Sequence, residues 1–366
     1  MLRFPVTLAA VGLLVGCAGQ RVAVRADASS DALQAAGLAQ GLPLRNPLEL
    51  PPDVMAQVVE EVGRDGRPDT RAHRVLRWLE NHQGTFQYAS ETYTAGEAFE
   101  AKRGDCFAFT NLFIALGRAV GLQIHYVYVR EVGAFQEKDG SYLVSSHVAA
   151  ELGTFPDNDI IDFARTPDAH TLYMYRELGD AEAAALFNSN LAVQQLLDGR
   201  AHMAERMLRF LSEQEPELPE LVNNLAVALS RNHQAPEARA VLNAALEHFP
   251  RYAPLYTNAM SVALQLGDGV EAQDLEARGR EVAEDDPLYV FGQGLHRFGD
   301  RDYAGAAERF ERAANLQESA VAWAWLARAH LAAGQRSEGR RALKHAIALA
   351  PGDVQIQQLQ SELGSL

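Results

Sequence analysis

Cysteine is almost missing from this chain: 366 residues contain two, Cys17 and Cys106. Two cysteines build no disulfide framework. Nor do they make a zinc pattern, because His73, His82, His125 and His170 have no partner at metal-ligand spacing. Positive charge is scarce too. Lys and Arg number 33 against 48 Asp and Glu, a formal net charge of -15. That excludes nucleic acid and an anionic membrane surface as electrostatic partners. Long apolar runs are also lacking, since Val6 to Val15 is too short to span a bilayer as a stable helix. Nothing in the sequence marks a cofactor. The remaining composition, 48% hydrophobic and 22% charged, is that of an ordinary globular protein. The length allows two or three domains with proper cores.

Residues 1–16 read as a secretory signal. Arg3 supplies the positive region and Val6 to Val15 the apolar one. The run ends Leu14-Val15-Gly16-Cys17, which resembles the lipobox of bacterial lipoproteins. The resemblance implies that Cys17 is acylated and becomes the first residue of the mature chain. Ala18 follows rather than Asp, which by the same resemblance implies the outer membrane, with the chain facing the periplasm. The lipid would then be the chain's only membrane contact. Residues 17–50 show no steady period and read as a tether with an end-to-end distance of roughly 30 Å. With Cys17 acylated, Cys106 has no partner within the chain. A lone thiol in an oxidising compartment is a liability unless it is buried or used.

The stretch Arg103-Gly104-Asp105-Cys106 opens a helix that runs to Gly121. Asp105 is a good N-cap, and Phe109, Leu112, Phe113, Leu116 and Val120 recur at helical spacing. Cys106 therefore falls at the first helical position, where the helix dipole favours a thiolate, the nucleophilic form. A cysteine among apolar residues also serves as a small buried hydrophobe.

Around this helix the region 51–178 reads as one folded domain. Helices are predicted from Pro52 to Val62 and from Pro68 to about His82, and a brief one near Thr94. Phe86-Gln87-Tyr88 is a short extended piece. After Gly121 the period changes to that of strands: Gln123 to Val132, Tyr142 to Leu152, and Asp159 to Ala164. Asp139-Gly140 and Pro156-Asp157-Asn158 make the turns. His147 lies on the second strand among small residues. Asp162 lies on the third between apolar neighbours, whereas Asp157 and Asp159 sit in a turn, where Asp is expected for its own sake.

The order Cys106 at a helix start, His147 on a strand and Asp162 on the next resembles the transglutaminase-like superfamily, with its papain-like logic. The resemblance implies an α+β fold and a triad of Cys106, His147 and Asp162. Cysteine attacks a carbonyl carbon to give a thioester, and histidine takes the thiol proton and passes it to the leaving amine. Aspartate fixes the imidazole tautomer. The backbone N–H of Cys106 is one oxyanion donor, and Gln87 or Tyr88 is a candidate for the second. Phe107 stands where animal cross-linking relatives carry tryptophan, and calcium-binding clusters are lacking, which favours hydrolysis over cross-linking.

From residue 183 to 366 the chain repeats. Asn188, Leu191, Ala192, Ala204, Leu208, Leu211 and Pro216 recur as Val222, Leu225, Ala226, Ala238, Leu242, Ala245 and Pro250. The set returns as Trp323, Leu326, Ala327, Gly339, Leu343, Ala346 and Pro351. The period is about 34 residues and resembles the tetratricopeptide repeat, an all-α solenoid with a concave face. Residues 352–366 read as a closing helix. No asparagine ladder or basic stripe marks a ligand groove. The expected whole is a lipid-anchored cysteine hydrolase of a peptide or protein amide, without cofactor or metal, whose repeats hold substrate or a partner. Its competitors are amide-forming transfer by the same triad and an idle protein-binding scaffold.

Overall fold

The computed structural model describes residues 29–349, apart from 85, 90, 130–134, 139–140, 145–146, 155–156 and 162–174. The signal segment, Cys17, Asp162, His170 and the expected closing helix lie outside the described residues.

An α+β domain comes first. Helix α1 (Ser30–Ala39) is capped by the Ser29 side chain, which accepts from the Ala32 N–H. Helices α2 (Pro52–Val62) and α3 (Pro68–Gln83) each start on a proline, whose missing N–H costs nothing there. Strand β1 (Gln87–Tyr88) pairs in parallel with β2 (Arg103–Gly104), and between them lies α4 (Ala95–Ala101). A capping box of Thr94 and Glu97 starts α4. Helix α5 (Cys106–Ala119) leads to β3 (Ile124–Val129). The main sheet is antiparallel, in the order β7-β6-β3-β8, with β6 His147–Thr154, β7 Asp157–Ile161 and β8 Tyr175–Leu178. Helix α5 packs on β3 and β6, burying Leu112, Phe113, Ile114 and Leu116.

Two strand expectations change, and the third expected strand begins at Asp157, inside the expected turn, because Asp157 and Asn158 pair with Thr154 and Gly153 of β6. The expected strand Tyr142 to Leu152 is two elements. Strand β5 (Ser141–Val144) pairs with β4 (Phe135–Lys138) in a hairpin of its own, and β6 begins afresh at His147. The final sheet strand, β8, pairs with β3 far back in the chain, a partner that local pattern does not reveal.

Five helical hairpins follow among the described residues. They are α6 (Asp180–Leu197) with α7 (Ala201–Gln214), α8 (Pro219–Arg231) with α9 (Ala235–His248), and α10 (Ala253–Gln265) with α11 (Gly269–Ala283). Then come α12 (Pro287–Gly299) with α13 (Tyr303–Leu316), and α14 (Ala320–Ala332) with α15 (Arg336–Leu349). Small residues where paired helices approach, such as Ala192, Ala204, Ala226 and Ala238, are fully buried. Each hairpin buries much of its apolar face against neighbouring hairpins, so the array stacks into a solenoid.

The expected tether is overturned from residue 29 to 50. This segment forms α1 and then runs over the first repeat, burying Leu33, Leu42, Leu44 and Leu50. Asn188 of α6 holds it by two bonds to one residue: the Arg45 N–H donates to Asn188 Oδ1, and Asn188 Nδ2 donates to the Arg45 carbonyl, both at 2.9 Å. Ser30 Oγ donates to the Asp180 carbonyl. The Ala, Ser and Gly content that looks tether-like also suits a helix lying close on another.

Candidate active site

Gly104 makes the turn into α5. Its φ is +156°, and a Cβ there would meet the Ala108 Cβ at 2.3 Å, so no larger residue fits. Asp105 caps the helix as its sequence position predicts. Its Oδ1 accepts from the Ala108 N–H at 3.0 Å, and Thr92 Oγ1 donates to its Oδ2. The Asp105 N–H in turn donates to the Glu91 carbonyl at 3.0 Å. Cys106 is then the first residue of the helix. It is buried, only 7% exposed, and forms no disulfide among the described residues.

Three bonds pin the first half of α5 to its surroundings. Asn111 Nδ2 donates to the Tyr93 carbonyl at 3.0 Å, and the Tyr126 hydroxyl donates to Asn111 Oδ1 at 2.7 Å. Burial holds the Tyr126 hydroxyl well above its usual pKa, so it remains a donor. Thr110 Oγ1 donates to the Val148 carbonyl at 3.3 Å. Thr110 stands one turn after Cys106, and Val148 follows His147. This bond therefore sets the start of α5 beside the start of β6.

His147 opens β6 opposite Val129 of β3 and is 8% exposed. The structure thus brings Cys106 and His147 to one end of the α5–β6 contact. Asp105 belongs to the same cluster. Burial pushes its carboxyl up to about 6, opposed by the Thr92 hydroxyl, the Ala108 amide, attraction to His147 and the Phe107 amide. Sequence reasoning gave Asp105 a capping role only. Its place beside Cys106, on a helix facing the histidine strand, was the available signal.

Gln87 and Tyr88 flank the same loop. Tyr88 pairs with Gly104 in the parallel register, and both side chains are exposed. Among the described residues, no group of three or more His, Cys, Asp or Glu is arranged to hold a metal. Likewise, no described helix is long and apolar enough to cross a membrane.

The repeats correct one expectation. An asparagine ladder is present. Asn258 Nδ2 donates to Asn223 Oδ1 at 2.8 Å, Asn223 Nδ2 to Asn224 Oδ1 at 3.3 Å, and Asn224 Nδ2 to Ser189 Oγ at 3.2 Å. The pairs Ser189-Asn190, Asn223-Asn224 and Thr257-Asn258 fall at equivalent repeat positions. Polar residues in register were the signal, hidden by the apolar pattern around them. A separate cleft of about 240 Å³ lies between α10, α11 and α12, lined by Tyr256, Tyr289, Gln293 and Arg297 among others.

Two family models match the chain. Residues 56–170 match the model of the transglutaminase-like superfamily, and residues 297–363 match a tetratricopeptide repeat. Among solved structures, the chain is similar to a thermophilic tetratricopeptide-repeat protein of Thermus thermophilus. The identity is 20% over 49% of this chain and 98% of that one, with a TM-score of 0.39. It is also similar to MamA of Desulfovibrio magneticus, 19% identical over 48% of this chain and 98% of that one, TM-score 0.30. A third is YrrB, described as a repeat protein with an unusual peptide-binding site, 16% identical over 49% and 92%, TM-score 0.30. No curated protein matches the chain.

Proposed function

We propose, from the premise that a transglutaminase-like domain is followed here by tetratricopeptide repeats, that the chain is a cysteine-dependent hydrolase of peptide or amide bonds. The observation that carries this reading is the Thr110–Val148 bond, which draws the helix start bearing Cys106 to the strand start bearing His147. In the proposed reaction His147 removes the thiol proton and the thiolate sulfur attacks the amide carbon. The C–N bond breaks as His147 returns the proton to the amine, leaving a thioester on Cys106. Water, deprotonated by His147, then attacks the thioester carbon, and the C–S bond breaks to release the acid and the thiol. Asp162 is assigned the role of orienting His147. An acylated Cys17 anchors the chain in the outer membrane facing the periplasm, and the repeats hold a protein partner or the substrate.

The test is alkylation of Cys106 by iodoacetamide as a function of pH, with His147→Ala and Asp162→Asn beside the parent chain. The expected result is rapid alkylation near neutral pH, with that advantage lost in His147→Ala. A thiol with an ordinary profile, unmoved by either substitution, overturns the reading. The low exposure of Cys106 favours a second one, an idle scaffold that binds protein partners through both domains. An unreactive thiol would support it. Amide-forming transfer uses the same residues, and products formed with an added amine separate it from hydrolysis.

A further inference from the structure

The β4–β5 hairpin belongs to neither half of the fold by pairing. It forms its own two-stranded sheet, apart from the main sheet of the α+β domain. Strand β5 instead lies against α8 and α10, the first helices of the second and third repeats. Val144 ends β5 only three positions before His147 opens β6. Whatever fixes β5 thus limits where His147 can stand.

Helices α8 and α10 are also the ones that carry the ladder. Asn223 and Asn224 are fully buried, and Asn258 is 2% exposed. Burying three carboxamides is costly unless each finds partners. The bonds within the ladder use only part of what a carboxamide offers, which is two N–H donors and an acceptor with two lone pairs. A strand paired on one side only presents alternating N–H and C=O groups along its other edge. A carboxamide, both donor and acceptor, suits that edge whatever its side chains are. Burial, position and hydrogen-bonding type all point to the same arrangement.

We propose that the inner face of the second and third repeats is an internal seat for this hairpin, with Asn223 and Asn258 as positioning residues. They hold β5, and through it His147, in register with Cys106. A protein partner is then received by other surfaces of the array, not by this part of it. The proposal rests on reading Cys106 and His147 as nucleophile and base.

The experiment uses the full chain with Asn258→Asp, which keeps the volume but removes the amide donor to Asn223. Asn223→Ala serves as a second variant, in case the first does not fold. Leu242→Ala, a fully buried residue of the outer helix α9, is the control for simple loss of repeat stability. The readout is the pH profile of Cys106 alkylation. The Asn variants should fold by circular dichroism, yet alkylate about tenfold more slowly near pH 7, a part of what a general base contributes. Their profile should move toward that of His147→Ala. The control should lower the melting temperature and keep the parent profile. An activated parent thiol whose profile persists in folded Asn variants, or shifts equally in the control, overturns this proposal alone. A parent thiol that is ordinary and indifferent to His147→Ala removes the underlying reading, and this proposal with it.

Discussion

Phe107, the residue after Cys106, meets Phe187 of α6 edge-on, with ring centroids 5.9 Å apart and planes at 67°. Both rings are fully buried. The first repeat therefore stands directly behind the start of the cysteine helix, and the two regions share one continuous core. A paired ring contact of this kind adds about 0.5–1.5 kcal/mol beyond its area burial.

Phe187→Ala should lower stability by about 3–5 kcal/mol. Because the core is shared, the loss should appear as one shifted transition in urea, read by both near-UV circular dichroism and Cys106 accessibility. Two separated transitions, with only the repeats affected, would contradict a common core.

Asp105 sets a pH dependence. Its folded pKa of about 6 lies above the ordinary carboxylate value, so folding favours the protonated form. The stability it contributes is full below about pH 4 and is lost as pH rises through about 6. Asp105→Asn keeps the cap, since Asn serves as well at that position. The parent midpoint in urea should fall between pH 4 and pH 6, and the variant should lack that component. Parallel curves for the two proteins would refute the assignment.

Gly104→Ala should be among the most damaging single-methyl changes in the chain. A side chain at its φ of +156° is strained, and the added carbon collides with Ala108. The backbone strain alone amounts to about 1–3 kcal/mol. Relief of the collision moves the start of α5, so Cys106 alkylation should slow together with the loss in melting temperature. Unchanged alkylation in a destabilised protein would show that the turn serves folding only.

Removing residues 29–50 should also destabilise the chain, against what a tether would do. Four leucines lose their burial, a term on the order of 5 kcal/mol by area, and the carboxamide of Asn188 loses both Arg45 partners. Thermal melts of the shortened and parent chains make the comparison. Equal melting temperatures would restore the tether reading.

The parts of the fold readable beforehand were those with local causes. Asp105 followed by a helical apolar face marks α5, and recurring Ala, Leu and Pro at a 34-residue period mark the hairpins. The parts that escaped depend on distant partners. Leu42 and Leu44 look like loop residues, yet both are buried, Leu44 against Gly37 of α1, and the next residue, Arg45, is bonded to Asn188 of α6. Strand β8 has only four residues and exists because β3 pairs with it. Strand β5 looks continuous with β6 because Val144 to His147 shows no strong turn residue. At the candidate site, Cys106 and His147 could be picked out by type and setting. Asp105 was harder, because capping already explains an aspartate at a helix start.

Ser29 is already fixed as the cap of α1. Cys17 lies only about 12 residues upstream, and a chain of that length reaches at most ~40 Å when fully extended. If Cys17 is acylated as proposed, that reach sets the greatest distance of Ser29 from the bilayer, and a substrate of the proposed hydrolase would enter that layer to meet Cys106. Reach then acts as a selector alongside chemistry. Residues inserted ahead of Ser29 would deepen that layer without touching the site.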